Sequence, residues 1–360
     1  MRLKTLVRPL LMIAATAAVP AFAQAARPAA PAAPATTAAQ KAVIDRAMLN
    51  AFKALPTRFE DPKNPITNEK VELGRMLYFE NRLSKNQDVS CNSCHDLNNF
   101  GVDGKPFSPG HKKQLGGRNS PTVYNAGGHI LQFWDGRAPN LEEQAKGPIL
   151  NPVEMAMPSE ARVVETLKSI PGYVTAFQKA FPGEADPVTY NNVGKAIGAF
   201  ERQLVTPSRF DKYLGGDEKA LSDAEKVGLS KFLEQGCQTC HNGAVIGGSL
   251  QKLGLVVPFQ SKDQGRFDLT RLETDRMIFR VPTLRNVAKT APYFHDGSVK
   301  DLNTAVKLMA QHQFGKQISD ADVGHIVTFL GSLTGELPKS YITKPKLPAS
   351  GPKTPKPDPS

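Results

Sequence analysis

The four cysteines of the chain fall into two matching arrangements, Cys91-Asn-Ser-Cys94-His95 and Cys237-Gln-Thr-Cys240-His241. Two thiols three residues apart can add to the two vinyl groups of one porphyrin. An imidazole directly after them then supplies an axial nitrogen to the iron. Four cysteines could instead form two disulfides, act as redox pairs or help to hold zinc. Disulfides leave both adjacent histidines without a role, and no βαβ pattern surrounds either pair. Covalent attachment of two c-type haems uses every cysteine and explains both histidines, with His95 and His241 as proximal ligands.

A second regularity connects the two motifs. Pro121-Thr122-Val123-Tyr124-Asn125-Ala126 resembles Pro282-Thr283-Leu284-Arg285-Asn286-Val287, 161 residues further on. At the same spacing Phe133-Trp134-Asp135-Gly136 resembles Phe294-His295-Asp296-Gly297, and Leu141 matches Leu302. One CxxCH motif precedes each copy. Duplication of a single haem domain is the economical explanation.

Differences between the copies are where a division of labour would lie. A haem iron with two strong axial ligands carries electrons, and one with an open position does chemistry. Met309 and Met277 both could supply a thioether in the second half, and spacing does not separate them. His111 follows Pro109-Gly110 in a loop, where a ligand could come and go or a histidine could simply face solvent. Glu154 lies among Met155 and Met157, where a carboxyl could have a raised pKa and move protons, or could equally start a helix. Gln144 is polar where the second copy has Ala305. Trp134, the single tryptophan, stands where the second copy has His295.

These residues need elements to position them. Helical spacing covers Val71 to Tyr78, ahead of the first haem motif. Ser222-Asp-Ala-Glu225 is a capping box opening a helix to about Gln235, ahead of the second. Asp186-Pro187 is expected to cap a helix running to about Leu204, which Thr206-Pro207 ends. Ser159–Ile170, Asp301–His312 and Ser319–Leu333 also have helical apolar spacing. The expected fold is mostly α, with long loops and two cytochrome c-like domains related by internal duplication. They are an N-terminal haem domain over 42–205 and a C-terminal one over 206–340.

The two ends are of a different character. Residues 1–23 combine Arg2, Lys4 and Arg8 with an apolar run and Ala21-Phe22-Ala23, the layout of a secretory signal peptide cleaved near Ala23. Residues 24–41 read as an Ala/Pro-rich linker and residues 341–360 as a disordered basic tail. Of the net charge of +11, +3 comes from residues 1–23 and +3 from residues 341–360, so the basic balance is partly a property of the ends. Together with the absence of a basic stripe interleaved with aromatics, this argues against a nucleic-acid binder. No run is long enough for a membrane span.

Taken together, the chain resembles the bacterial dihaem cytochrome c peroxidases from about residue 50 to 337. The likeness rests on both CxxCH motifs, Gly117-Arg118-Asn119-Ser120-Pro121-Thr122-Val123, Gln132-Phe133-Trp134-Asp135-Gly136-Arg137, Glu143-Gln144-Ala145-Lys146-Gly147-Pro148, Val153-Glu154-Met155, Leu284-Arg285-Asn286-Val287 and Thr290-Ala291-Pro292-Tyr293-Phe294-His295. The resemblance implies a low-potential, peroxide-reducing N-terminal haem at His95, with His111 as a distal ligand that leaves on activation. It implies a high-potential, electron-transfer haem at His241 with Met309 as its distal ligand. Trp134 would stand between the haems, and Gln144 with Glu154 would form the distal pair. Calcium would be held by Asn119 and the carbonyls of Thr290 and Pro292; oxygen-only ligation suits that ion.

The implied activity is periplasmic reduction of hydrogen peroxide, with electrons from a small cytochrome c or cupredoxin, in a homodimer. Two other functions compete with it. One is a relative that oxidises a protein substrate, like the methylamine dehydrogenase maturation enzyme, in which a tyrosine stands at the place of Met309. The other is a dihaem electron carrier without peroxide chemistry.

Overall fold

The computed structural model describes residues 44–360; the expected signal peptide and the Ala/Pro-rich linker lie outside them. Helices dominate. In the first half they are α1 (Asn68–Tyr78), α2 (Cys91–Cys94), α3 (Leu141–Leu150), α4 (Glu160–Lys168), α5 (Pro171–Ala180) and α6 (Tyr190–Glu201). The second half contains α7 (Arg209–Leu214), α8 (Asp223–Glu234), α9 (Phe267–Thr270), α10 (Leu302–Phe314) and α11 (Asp320–Gly331). Two three-residue strands, β1 (Leu250–Lys252) and β2 (Ile278–Arg280), pair antiparallel with Leu250 opposite Arg280.

Local chemistry sets the helix boundaries. Ser222 Oγ accepts from the Glu225 N–H while the Glu225 carboxylate accepts from the Ser222 N–H, the reciprocal cap expected for α8. The cap expected at Asp186-Pro187 lies instead at Thr189, whose Oγ1 accepts from the Asn192 N–H; α6 starts three residues after Pro187. Pro187 therefore belongs to the approach and not to the first turn. Helices α3 and α5 were not legible in the pattern: α3 carries Gly147 and Pro148, and α5 is opened by Pro171 at its N-terminus.

Each half is built on one close helix crossing. Helix α1 packs along α6 where Gly74 faces Ala196; a Cβ on Gly74 would stand 1.9 Å from the Ala196 carbonyl oxygen. Helix α8 packs along α11 in the same way at Gly228, where a Cβ would stand 2.0 Å from the His325 carbonyl oxygen. Only glycine lets the backbones approach this closely.

Equal backbone geometry recurs 161 residues apart. Asn125 and Asn286 have φ of 61° and 62°, Phe133 and Phe294 of 66° and 68°, Gly136 and Gly297 of 66° and 60°. The bridge Gln132–Ala138 has its counterpart in Tyr293–Val299. Both asparagines donate from Nδ2 to one acceptor, Thr206 Oγ1, at 2.9 Å each.

Apolar burial follows the two halves but not their ends. Leu73, Leu77, Ile149, Val163, Phe177 and Ile197 share one core, and Phe210, Leu229, Phe232, Ile326 and Phe329 share another. Leu49 and Phe52, placed in the first half by sequence order, pack into the second core. The expectation of a disordered tail over 341–360 requires correction. Ile342 is buried, Tyr341 stacks on Phe200 with ring centroids 5.1 Å apart, and the chain beyond runs along the first half. Lysines and prolines suggested disorder there, but main-chain and side-chain hydrogen bonds to Ser169 at the end of α4 and to the 82–87 loop hold it in place.

Candidate active site and haem cavities

Two cavities lie behind the two CxxCH motifs. The first, about 500 Å³, is lined on one side by Cys91, Cys94 and His95, and elsewhere by Trp134, Gln144 and Glu154. The second, about 210 Å³, is lined by Cys237, Cys240, His241 and Met309, within a largely aliphatic wall that includes Leu302, Val306 and Leu330.

The proximal side of the first cavity is preset. Helix α2 spans the Cys91–Cys94 turn, and the His95 Nδ1 donates to the Pro121 carbonyl at 2.9 Å. That bond fixes the ring orientation and leaves Nε2 as the nitrogen available for a metal. Burial holds the imidazole neutral, lowering its pKa against the opposing pull of the Pro121 and Gly101 carbonyls. His241 is pushed down to about 4 by burial, opposed by the carbonyls of Ile246 and Pro282, the latter being the counterpart of Pro121. Neutral imidazole is the ligand form.

The opposite wall of the first cavity is polar. Gln144 comes from α3, which is tied down by Glu142: this carboxylate takes both guanidinium nitrogens of buried Arg202 and the Asn64 amide. Glu154 sits in the turn after α3 and not at a helix start, with the Asn151 Nδ2 donating to its Oε1 at 3.0 Å. Burial raises its pKa, while the Arg137 charge and the Asn151 bond pull the other way. The second cavity has no such carboxyl among its lining residues.

Met309 faces the second cavity, whereas Met277 packs against Trp134 and Phe279 in a small core of its own. Trp134 lines both cavities, and its Nε1 donates to the Asn119 carbonyl at 2.8 Å. Asn119, Thr290 and Pro292 all line the second cavity. The His111 ring is buried but does not line the first cavity; its Nε2 donates to the Ser360 main-chain oxygen at 3.1 Å.

Comparison with known proteins decides the family. The chain is 48% identical over 314 residues to a cytochrome c551 peroxidase of Pseudomonas aeruginosa, an alignment covering 85% of this chain and 90% of that protein. The chain belongs to the di-haem cytochrome c peroxidase family. Residues 68–219 match the family model described as di-haem cytochrome c peroxidase. A cytochrome c551 peroxidase of Nitrosomonas europaea is 45% identical over 308 residues, covering 84% of this chain and 90% of the other. Among solved structures, a MauG-like protein associated with microbial copper homeostasis superposes with a TM-score of 0.72 at 27% identity, covering 81% of this chain and 97% of that one. The protein is thus a dihaem peroxidase, an oxidoreductase that takes peroxide as its substrate.

The peroxidase's own residues fit two haems. Each cavity has a pair of half-buried thiols and, at its wall, a half-buried histidine whose pKa is lowered. Between the cavities lies Arg280, buried, donating to His129 Nε2 at 3.0 Å and to the Phe133 carbonyl at 3.2 Å. It has no carboxylate partner among the described residues, and burial lowers its pKa to about 10. A buried cation lacking a protein anion, lining both cavities, suits the propionates of a porphyrin. Sequence reasoning missed Arg280, because an isolated arginine in a three-residue strand gives no signal. His129 was visible only as a histidine without an assignment.

No helix among the described residues is long and apolar enough to cross a membrane.

Proposed function

We propose that the peroxidase reduces hydrogen peroxide at the first cavity and receives its electrons at the second. The overall change is H2O2 with two electrons and two protons giving two waters. The haems, each attached through thioethers at Cys91 and Cys94 or at Cys237 and Cys240, supply the electron-storing iron. The carrying observation is the asymmetry of the cavities: a half-buried carboxyl with raised pKa and an amide face His95, while an aliphatic wall and Met309 face His241.

Glu154 takes the proton from one peroxide oxygen and delivers it to the other, so that the far oxygen departs as water. Gln144 orients the substrate from α3. Trp134, touching both cavities, occupies the space through which electrons pass between them. Met309, which lines the second cavity with His241, would hold the second haem from its other side, a thioether that would favour a higher potential there. It also favours the peroxidase over an oxidase of a protein substrate, for which tyrosine is expected at this place. His111 is the removable ligand of the first site, and its loop must swing for it to reach the cavity.

The donor is a small cytochrome c or cupredoxin, and the name of the Pseudomonas relative, a cytochrome c551 peroxidase, supports the first of these. Calcium is held by Asn119 and the carbonyls of Thr290 and Pro292; the Asn119 Nδ2 donates to the Lys105 and Pro106 carbonyls, which leaves Oδ1 as an acceptor. The two haem domains, meeting near Val205, descend from one duplicated unit, an inference supported by the matched backbone of Asn125 with Asn286 and Phe133 with Phe294. The enzyme works in the periplasm as a homodimer.

The test is to reduce the holoprotein by one electron with calcium present, add peroxide and follow oxidation of a reduced cytochrome c. Turnover is expected. Its absence, with both haems in place, would make the protein an electron carrier.

A further inference from the structure

The chain after Ile342 follows a defined course over the first half. Arg82 donates from Nη2 to the Pro348 carbonyl at 2.8 Å and from Nη1 to Ser350 Oγ at 2.8 Å. Gly351 lies so close to the end of α4 that a Cβ there would stand 2.3 Å from the Ser169 carbonyl oxygen. Ser169 Oγ donates to Thr354 Oγ1 at 3.0 Å, and the Gln87 amide donates to the Pro355 carbonyl at 2.7 Å. At the far end, Lys85 works on three sides. Its N–H donates to the Met155 carbonyl at 2.8 Å, its carbonyl accepts from the Asp358 N–H at 3.0 Å, and its Nζ donates to the Ser360 main-chain oxygen at 2.8 Å. That same Ser360 oxygen accepts from His111 Nε2.

The His111 ring has a single partner for Nε2, and its Nδ1 has none among the described residues. A nitrogen that donates its proton to an oxygen acceptor has no lone pair to offer a metal. Iron ligation through Nε2 and the bond to Ser360 therefore exclude one another.

We propose that residues 344–360 form an intramolecular strap whose Ser360 main-chain oxygen, steadied by Lys85, receives the His111 imidazole when it is away from the iron. Ser360 and Lys85 are positioning residues that favour the open state of the first site. The strap is a competitor for the ligand, so the fraction of enzyme with an open first site depends on tail docking as well as on reduction. The inference rests on the reading of His111 as the removable ligand. A net hydrogen bond in protein supports a shift of roughly five-fold in such an equilibrium.

Two variants of the holoprotein remove the docking differently. One ends the chain after Leu347; the other, Gly351→Val, keeps the full length of the tail but forces it off Ser169. The readout is the ratio of five- to six-coordinate first haem, by resonance Raman and electron paramagnetic resonance, in the one-electron-reduced enzyme. Both variants are expected to lower that ratio about five-fold. Neither is expected to change it in a His111→Gly background, where no imidazole competes. An unchanged ratio in both variants, while His111→Gly alone opens the site, overturns the strap and leaves the ligand assignment intact. A His111→Gly protein that stays six-coordinate with two histidines overturns the ligand assignment itself.

Discussion

The main-chain N–H of His111 donates to the Glu154 carbonyl at 2.7 Å. The proposed removable ligand and the proposed proton carrier are thus joined through backbone, and one loop cannot move without the other responding. Gly110 makes the contact feasible: a Cβ there would stand 2.2 Å from the Val153 carbonyl oxygen and 2.6 Å from the Glu154 Cα. Gly110→Ala is expected to drive the two loops apart. Peroxide turnover should fall at least ten-fold while haem content stays at two per chain, and full activity would show that the loops work independently.

Glu154→Gln keeps the shape and hydrogen-bonding reach of the side chain but removes its proton transfer. Turnover should drop by about a hundred-fold or more, the usual contribution of a positioned acid–base group. Both haem spectra should be unaltered. Retained turnover would remove Glu154 from the chemistry.

His111→Gly should leave the first haem open in the fully oxidised protein, seen as a high-spin signal before any reductant is added. The variant is then expected to react with peroxide without prior activation, monitored by stopped-flow spectroscopy.

Glu201 links pH to stability. It is buried beside the first cavity, its Oε2 has no partner among the described residues, and burial, reinforced by Glu142, raises its pKa from 4.5 to about 8 against the pull of Arg202. In the unfolded chain it ionises near 4.5. The stability that the neutral carboxyl contributes is complete below that value and is lost as pH rises through about 8. Glu201→Gln should therefore gain in Tm relative to the parent between pH 6 and pH 9, by about the same amount at every pH above the folded value. A Tm difference that does not vary with pH across the whole range would refute the assignment.

Gly74→Ala and Gly228→Ala place a methyl group against the Ala196 and His325 carbonyls. Each should cost about 1–3 kcal/mol as the helices separate, measured by denaturant titration of the holoprotein.

How much of this was legible in the sequence depended on whether the signal was local. The CxxCH spacing and the Ser222–Glu225 cap are short-range chemistry, and each appears where expected, at a cavity wall and at the start of α8. Met309 and Met277 could not be told apart by spacing, since both fit an apolar pattern; only the cavity shows which one faces His241. Helix α3 was hidden by Gly147 and Pro148, whose cost is met by the buried pairing of Glu142 with Arg202, sixty residues away. The tail was misread because its composition is that of a solvated segment, while its partners, Arg82, Lys85 and Gln87, lie far away in sequence.

Thr206 has a mechanical consequence. It stands at one of the places where the chain crosses between the halves, and its single hydroxyl receives Asn125 from one and Asn286 from the other. Gly335 closes against its carbonyl from behind. Swinging one half about this point would strip two buried amides of their acceptor at once. The crossing is a weld and not a hinge. Oxidised and reduced enzyme should accordingly give the same small-angle X-ray scattering profile, with activation confined to loops too small to alter it.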